Sequence, residues 1–202
     1  MTYWLRKIMP WLKLPKGRWA HMAEYYTGNE IVVLDCETST FDKKKGELLS
    51  VAAVRVKDGK VSLSEALNLT IDSNAKTDPD AVKVHYLRRE DRTEGVAVAE
   101  AIEKLLDFIG NRPICGFYIA YDRAILNRYI DQLYNFYLPN KFIDVGDIYL
   151  ERKYKYLPEV QQNITFEALA QELDVPVIER HTAMGDVITT ALMYIKLMHF
   201  QH

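Results

Sequence analysis

Four apolar residues, Ile31-Val32-Val33-Leu34, run straight into Asp35-Cys36-Glu37-Thr38. The run is mostly β-branched and reads as a buried strand whose end opens into a site. Strand side chains alternate with period two, so Asp35 and Glu37 project one way and Cys36 the other. Two carboxylates on one face at a strand end can share a hard divalent cation such as Mg²⁺ or Mn²⁺. By themselves they fit an ordinary solvated strand end at least as well.

The segments that follow supply partners for this strand. Leu48 to Lys57 is apolar and β-branched, Asp58-Gly59 signals a two-residue hairpin, and Lys60 to Ile71 alternates as a half-solvated strand does. An antiparallel meander is therefore expected. Between them Asp42-Lys43-Lys44-Lys45-Gly46 reads as a turn. A long loop over residues 72–95 holds a short helical piece at Val82 to Leu87, and His85 lies in it. Val96 to Ile109 carries Val98, Ile102, Leu105, Leu106 and Ile109 at helical spacing, with Gly110 and Pro113 as stop signals.

Pro113 to Phe117 reads as a short strand, and a helix begins at Ala120-Tyr121-Asp122, its apolar face marked by Ile125, Leu126, Tyr129, Ile130 and Leu133. Phe142-Ile143-Asp144-Val145 is another short apolar run, followed by a polar stretch from Glu151 to Gln162. Thr165 to Leu173 reads as a helix that Asn163 or Thr165 can cap, and Val187 to Phe200 as a long final helix. A meander followed by alternating helices and short strands gives an α/β class: a mixed sheet flanked by helices.

A chain of 202 residues that is 49% hydrophobic and 27% charged suits one well-cored domain. Its net charge of −2 provides no global basic field, so a polyanionic partner must be attracted locally or received through bound metal. Cys36 and Cys115, both in apolar runs, and the lack of a recognisable secretory signal lead to the expectation of buried thiols in a cytoplasmic setting. No apolar run is long enough for a transmembrane segment. Residues 1–29 form an arm: Trp4, Leu5, Ile8, Trp11 and Leu12 follow helical spacing among Arg6, Lys7, Lys13, Lys16 and Arg18. The first reading is a helix on the domain's own surface; docking of a protein partner through residues 1–20 comes next, and adsorption to membrane or nucleic acid last.

Further acids join the first pair. Asp122 falls near a helix start, where an acid is often a dipole or capping residue. His181 and Asp186 are five apart, roughly 140° around one helix, which places His181 in the preceding loop and Asp186 on the helix. In this order Asp35-Cys36-Glu37-Thr38, Asp122 before Ile125-Leu126, and His181-x4-Asp186 resemble the three motifs of the DEDDh 3′–5′ exonucleases, a family with a ribonuclease H-like fold that includes the epsilon proofreading subunit of bacterial DNA polymerase III. Two departures stand out: Phe117-Tyr118-Ile119 replaces the common His-Asn-Ala, and Thr40 stands where Gly often closes the first motif.

The resemblance implies an exonuclease domain over residues 30–202 that uses two Mg²⁺ or Mn²⁺ ions held by Asp35, Glu37, Asp122 and Asp186. It implies His181 as general base, since histidine titrates near physiological pH, and Thr38 as a contact to the 3′-terminal nucleotide. Asp144 lies outside this set and reads as structural. The expected partner is a nucleic-acid 3′ end, DNA ahead of RNA, in replication or repair. An exoribonuclease of the same fold is the nearest alternative, and a non-catalytic module acting through the basic arm is the alternative of a different class.

Overall fold

The computed structural model describes residues 13–75, 77–78, 81, 92–154 and 163–199. Most of the proposed N-terminal helical pattern, the Val82–Leu87 piece and His85 lie outside the described residues, as does the polar stretch beyond residue 154. The buried run is the central strand β1 (Glu30–Thr38), which pairs antiparallel with β2 (Leu48–Lys57), and β2 with β3 (Lys60–Thr70). The expected meander is thus present. Asp58 and Gly59 both take positive φ, 50° and 71°, the primed turn that an Asp-Gly pair favours.

Helix α1 (Val98–Ile109) crosses to β4 (Ile114–Gly116), and α2 (Ile119–Tyr134) to β5 (Phe142–Asp144). β4 pairs parallel with β1, and β5 parallel with β4, giving the strand order β3-β2-β1-β4-β5. Then come α3 (Val145–Lys153), α4 (Phe166–Glu172) and α5 (Ala183–His199). Among the described residues no helix is long and apolar enough to cross a membrane.

Period two along β1 explains its composition. Val32, Leu34 and Cys36 enter one core with residues of α1 and α2, while Ile31 and Val33 enter a second core with α3, α4 and α5. Both faces are covered, so the strand is apolar without alternation. Cys36 and Cys115 are buried free thiols that belong to opposite faces, which is why adjacent strands carry them without a disulfide.

Three boundaries differ from expectation. Val96 is outside α1 because its backbone bridges to Ile71. Residues 145–153 form α3 where only a short strand and a polar stretch are expected; the Asp144 side chain caps it, accepting from Gly146 N at 2.9 Å. Before β1, Gly17–Ala23 is a 3₁₀ helix that buries Trp19 and Met22. Trp19 stands edge-on to Tyr134 at 4.5 Å and donates to Asp107 Oδ1 at 3.0 Å, while Arg18 pairs with Glu103 and Asp107. Residues 13–23 are therefore packed on the α1–α2 side of the sheet.

The first turn of α5 is pressed against the loop before it. A Cβ on Gly185 would lie 2.4 Å from the carbonyl oxygens of both Ile178 and Glu179. Those atoms are backbone and yield only by moving the helix. Gly185→Ala is therefore expected to cost about 1–3 kcal/mol, read as a lower urea midpoint at unchanged m-value; an unchanged midpoint would show that α5 can shift freely.

Candidate active site

Three elements carry carboxylates to one point. Asp35 and Glu37 project from β1 on the face that α5 covers, and Asp186 enters from the first turn of α5. Each offers an oxygen, and the three oxygens lie within 4.8 Å of one another. The pairing of β1 with β2 shifts register between Glu37 and Thr38, so the strand ends at the site. Asp122, in the first turn of α2, reaches the same strand: its Oδ1 accepts from the backbone N–H of Cys36 at 3.0 Å.

Crowding of like charges out of water sets the electrostatics. Burial, then Asp122, Glu37 and Asp186, push the Asp35 carboxyl well above its usual range. Burial followed by Asp186 and Asp122 raises Glu37 to about 8. Burial also raises Asp122, to about 7, against the opposing hydrogen bond from Cys36. Burial raises Asp186 too, partly offset by Arg180. Arg180 pairs with Asp186 Oδ2, donates to Glu167 Oε1 at 2.7 Å and lies 4.1 Å over the Phe166 ring. Asp186 Oδ1, in contrast, is buried with no hydrogen-bond partner. Crowded carboxylates that hold protons, with one lone buried oxygen among them, fit a divalent cation.

Each acid keeps its proton to higher pH folded than unfolded, so the folded chain binds more protons between pH about 4, where free carboxyls titrate, and the value near 8 of Glu37. The associated stability is complete below about pH 4 and is lost as pH rises through the folded values. A cation that binds ionised carboxylates reverses the loss. In EDTA the Tm is expected to fall from pH 5 to pH 8. Mn²⁺ at a hundredfold excess over its Kd at pH 8 then adds about 2.7 kcal/mol there, or about 5–10 °C, and the same concentration adds less at pH 5. Equal Mn²⁺ shifts at the two pH values would contradict this.

His181 occupies the turn before α5, half-buried and at φ 69°. Thr182 closes that turn by accepting from Gly185 N at 3.0 Å. The imidazole is outside the 4.8 Å carboxylate group and has no hydrogen bond among the described residues. Thr38 is buried, and its hydroxyl bonds the Tyr121 hydroxyl at 2.7 Å and the Thr40 carbonyl at 3.0 Å. It ties the loop after β1 to α2, and the unusual Thr40 takes part through its backbone. Asp144 Oδ2 accepts from Ile119 N at 3.1 Å, so it fixes the start of α2 without joining the acids.

Several site residues carry no motif signal. A cleft of about 380 Å³ holds Asp35, Glu37 and Asp122 beside Phe41, Tyr118 and Tyr121. A second, of about 350 Å³, is lined by Arg180, Glu167, Phe117 and Tyr118 together with Asp35 and Asp186. Phe41 and Tyr118 are exposed, 62% and 52%. Tyr118 takes the left-handed conformation, φ 51°, at a position where Asn is common, and its hydroxyl donates to Ile164 O at 3.0 Å. Phe117 packs edge-on to Phe166 at 5.3 Å. The residues that replace His-Asn thus bind the second-motif loop to the start of α4 and to Ile164 just before it.

The RNase T exonuclease family matches residues 32–194. DNA polymerase III subunit epsilon of Aquifex aeolicus is 23% identical over 167 residues, 83% of this chain and 79% of that protein. The oligoribonuclease of Sodalis glossinidius is 27% identical over 157 residues, 70% of this chain and 86% of its own. Among solved structures, E. coli exonuclease I in complex with a dA16 oligonucleotide superposes with TM-score 0.69 at 17% identity, over 86% of this chain. The match spans 41% of the exonuclease I chain. Exonuclease X in complex with 5′ overhanging duplex DNA gives TM-score 0.65 at 18% identity, covering 83% of this chain and 90% of that one. The mixed sheet is therefore the ribonuclease H-like fold of exonucleases.

Proposed function

Because the chain belongs to the RNase T exonuclease family, we propose that it is a metal-dependent 3′–5′ exonuclease that releases nucleoside monophosphates from single-stranded or frayed DNA ends in replication or repair. One observation carries the reading: Asp35, Glu37 and Asp186, from opposite ends of the sequence, converge within 4.8 Å. A structural role is a poor account of mutually repelling acids crowded together at partly buried positions.

Asp35, Glu37 and Asp186 would hold one Mg²⁺ or Mn²⁺, and Asp35 with Asp122 a second. Such a pair supplies a nucleophilic water at neutral pH and offsets charge on the attacking and leaving oxygens. The chain does the rest. β1 fixes Asp35 and Glu37 on one face, and the Cys36 N–H holds Asp122 in place. His181 accepts the proton of the attacking water on a ring nitrogen; its place in a loop rather than on α5 lets the ring approach once substrate is bound. Phe41 and Tyr118, exposed beside the acids, offer faces on which terminal bases stack.

The test is degradation of 5′-labelled single-stranded oligonucleotides with Mg²⁺ or Mn²⁺ against EDTA. A ladder of products shortened from the 3′ end supports the reading, and intact substrate with metal present sinks it. Similarity to an oligoribonuclease favours a second reading, an exoribonuclease of the same chemistry; matched DNA and RNA strands in one assay separate the two. The division into an arm of residues 1–29 and a domain of residues 30–202 belongs to the proposal, as does a cytoplasmic setting. A protein partner would be sought through residues 1–20, apart from Trp19, which is part of the core.

A further inference from the structure

The loop between β1 and β2 leaves the sheet at the acids and carries Lys43, Lys44 and Lys45, all exposed. Consecutive lysines are most often a solvated turn, but this turn is built. The N–H groups of Lys45 and Gly46 donate to Asp42 O at 2.9 and 2.7 Å, and that of Lys44 to Asp42 Oδ1 at 2.9 Å. Gly46 has no room for a Cβ, which would lie 2.8 Å from Thr40 O. From beneath, Arg128 donates to the carbonyls of Lys43, Lys44 and Gly46.

Arg128 is on α2, six residues after Asp122, or about 9 Å along the helix axis. The helix that brings Asp122 to the cleft therefore also clamps the lysine turn a short distance away. Four cationic side chains meet there. The turn's own acids are engaged elsewhere: Asp42 with the Lys44 backbone, and Glu47 with the Ser73 hydroxyl at 3.3 Å. Among the described residues none of the three ammonium groups pairs with an acid. Phe41, at 62% exposure, lines the cleft with the acids and immediately precedes the turn in the chain.

A chain of net charge −2 has no general attraction for a polyanion, and a strand entering this cleft meets carboxylates first. Bound metal would neutralise the acids at the terminus, and a local cationic surface would attract the backbone beyond it. We propose that the Lys43-Lys44-Lys45 turn binds the phosphates upstream of the 3′ end, so that a single strand whose terminus is among the acids lays its backbone across Phe41 onto these lysines. Arg128 presets the turn, so little ordering is needed on binding. The ligand chemistry is the phosphodiester backbone, shared by DNA and RNA, and the inference rests on the nuclease reading above.

The test is anisotropy of 5′-labelled dT16 and U16 in EDTA, titrated across salt concentrations with the full chain and with a Lys43→Gln/Lys44→Gln/Lys45→Gln variant. Release of three phosphate contacts is expected to flatten the slope of log K against log salt by about 2 for a single strand. Affinity at low salt should fall more than tenfold, equally for both strands, and the corresponding triple arginine variant should keep the slope. An unchanged slope in the glutamine variant overturns the proposal, and a loss confined to one sugar overturns contact through phosphate. If the wild-type chain shortens the oligonucleotide in Mn²⁺ while its binding ignores the substitutions, the lysine turn alone is wrong. If it neither binds nor cuts, the nuclease reading falls and takes this proposal with it.

Discussion

Asp35→Asn is expected to give a chain that is at once more stable without metal and inactive with it. Asp35 is the acid that burial and three other carboxylates press on together. Asparagine keeps its shape and removes its charge, so in EDTA near pH 8 the Tm should rise. The same change removes the proposed shared cation ligand. Charge stabilisation by metal supplies several kcal/mol, and each 1.36 kcal/mol is tenfold in rate, so single-turnover degradation should slow by on the order of 10³ or more. Calorimetry in EDTA and a labelled-strand assay in Mn²⁺ read the two effects separately. Degradation at the wild-type rate would sink the mechanism, and a lower Tm would mean that the acids do not repel as the geometry demands.

His181→Ala separates proton transfer from metal binding. The imidazole is outside the carboxylate group, in the turn before α5. The variant should bind Mn²⁺ within about twofold of wild type by titration calorimetry, while kcat falls about 10²–10⁴-fold, the range for a lost general base. Added imidazole should restore part of the lost rate. Slowing that imidazole does not relieve would assign the histidine to positioning, and weakened Mn²⁺ binding would make it a ligand.

The fold is legible in the sequence where a local rule leaves one answer. Asp58-Gly59 demands positive φ at two successive residues and joins strands that both read clearly. Ile31 to Leu34 is apolar on both faces because both are covered. Helix α3 escaped because Gly146 stands at its second position and its buried residues, Val145, Gly146 and Tyr149, trace no regular apolar stripe. Its stability comes from the Asp144 cap and from tertiary packing, neither of which periodicity reports.

The site divides in the same way. Asp35, Glu37, Asp122 and Asp186 were legible as a family pattern, and the structure brings three of them together and hydrogen-bonds the fourth, from α2, to the backbone of β1. Arg180, Phe41 and Tyr118 were not, because their importance lies in which way each side chain faces. A positively charged residue beside a histidine, or an aromatic after a turn, looks ordinary in one dimension. Thr38 shows the converse: a motif residue whose hydroxyl is engaged by Tyr121 and Thr40 within the protein.

The strand order has a consequence for how the molecule comes into being. The β1–β2–β3 meander joins neighbours in the chain, whereas Val32 meets Ile114 and Cys36 meets Asp122 only across long separations. Closing long loops costs entropy before any contact rewards it. The hairpins can therefore assemble while the acids are still dispersed, and the acid cluster is complete only when α5, the last helix, has docked. No fragment that stops short of α5 contains it. The proposed cation site is thus a property of the finished topology, and a chain caught partway through folding lacks it.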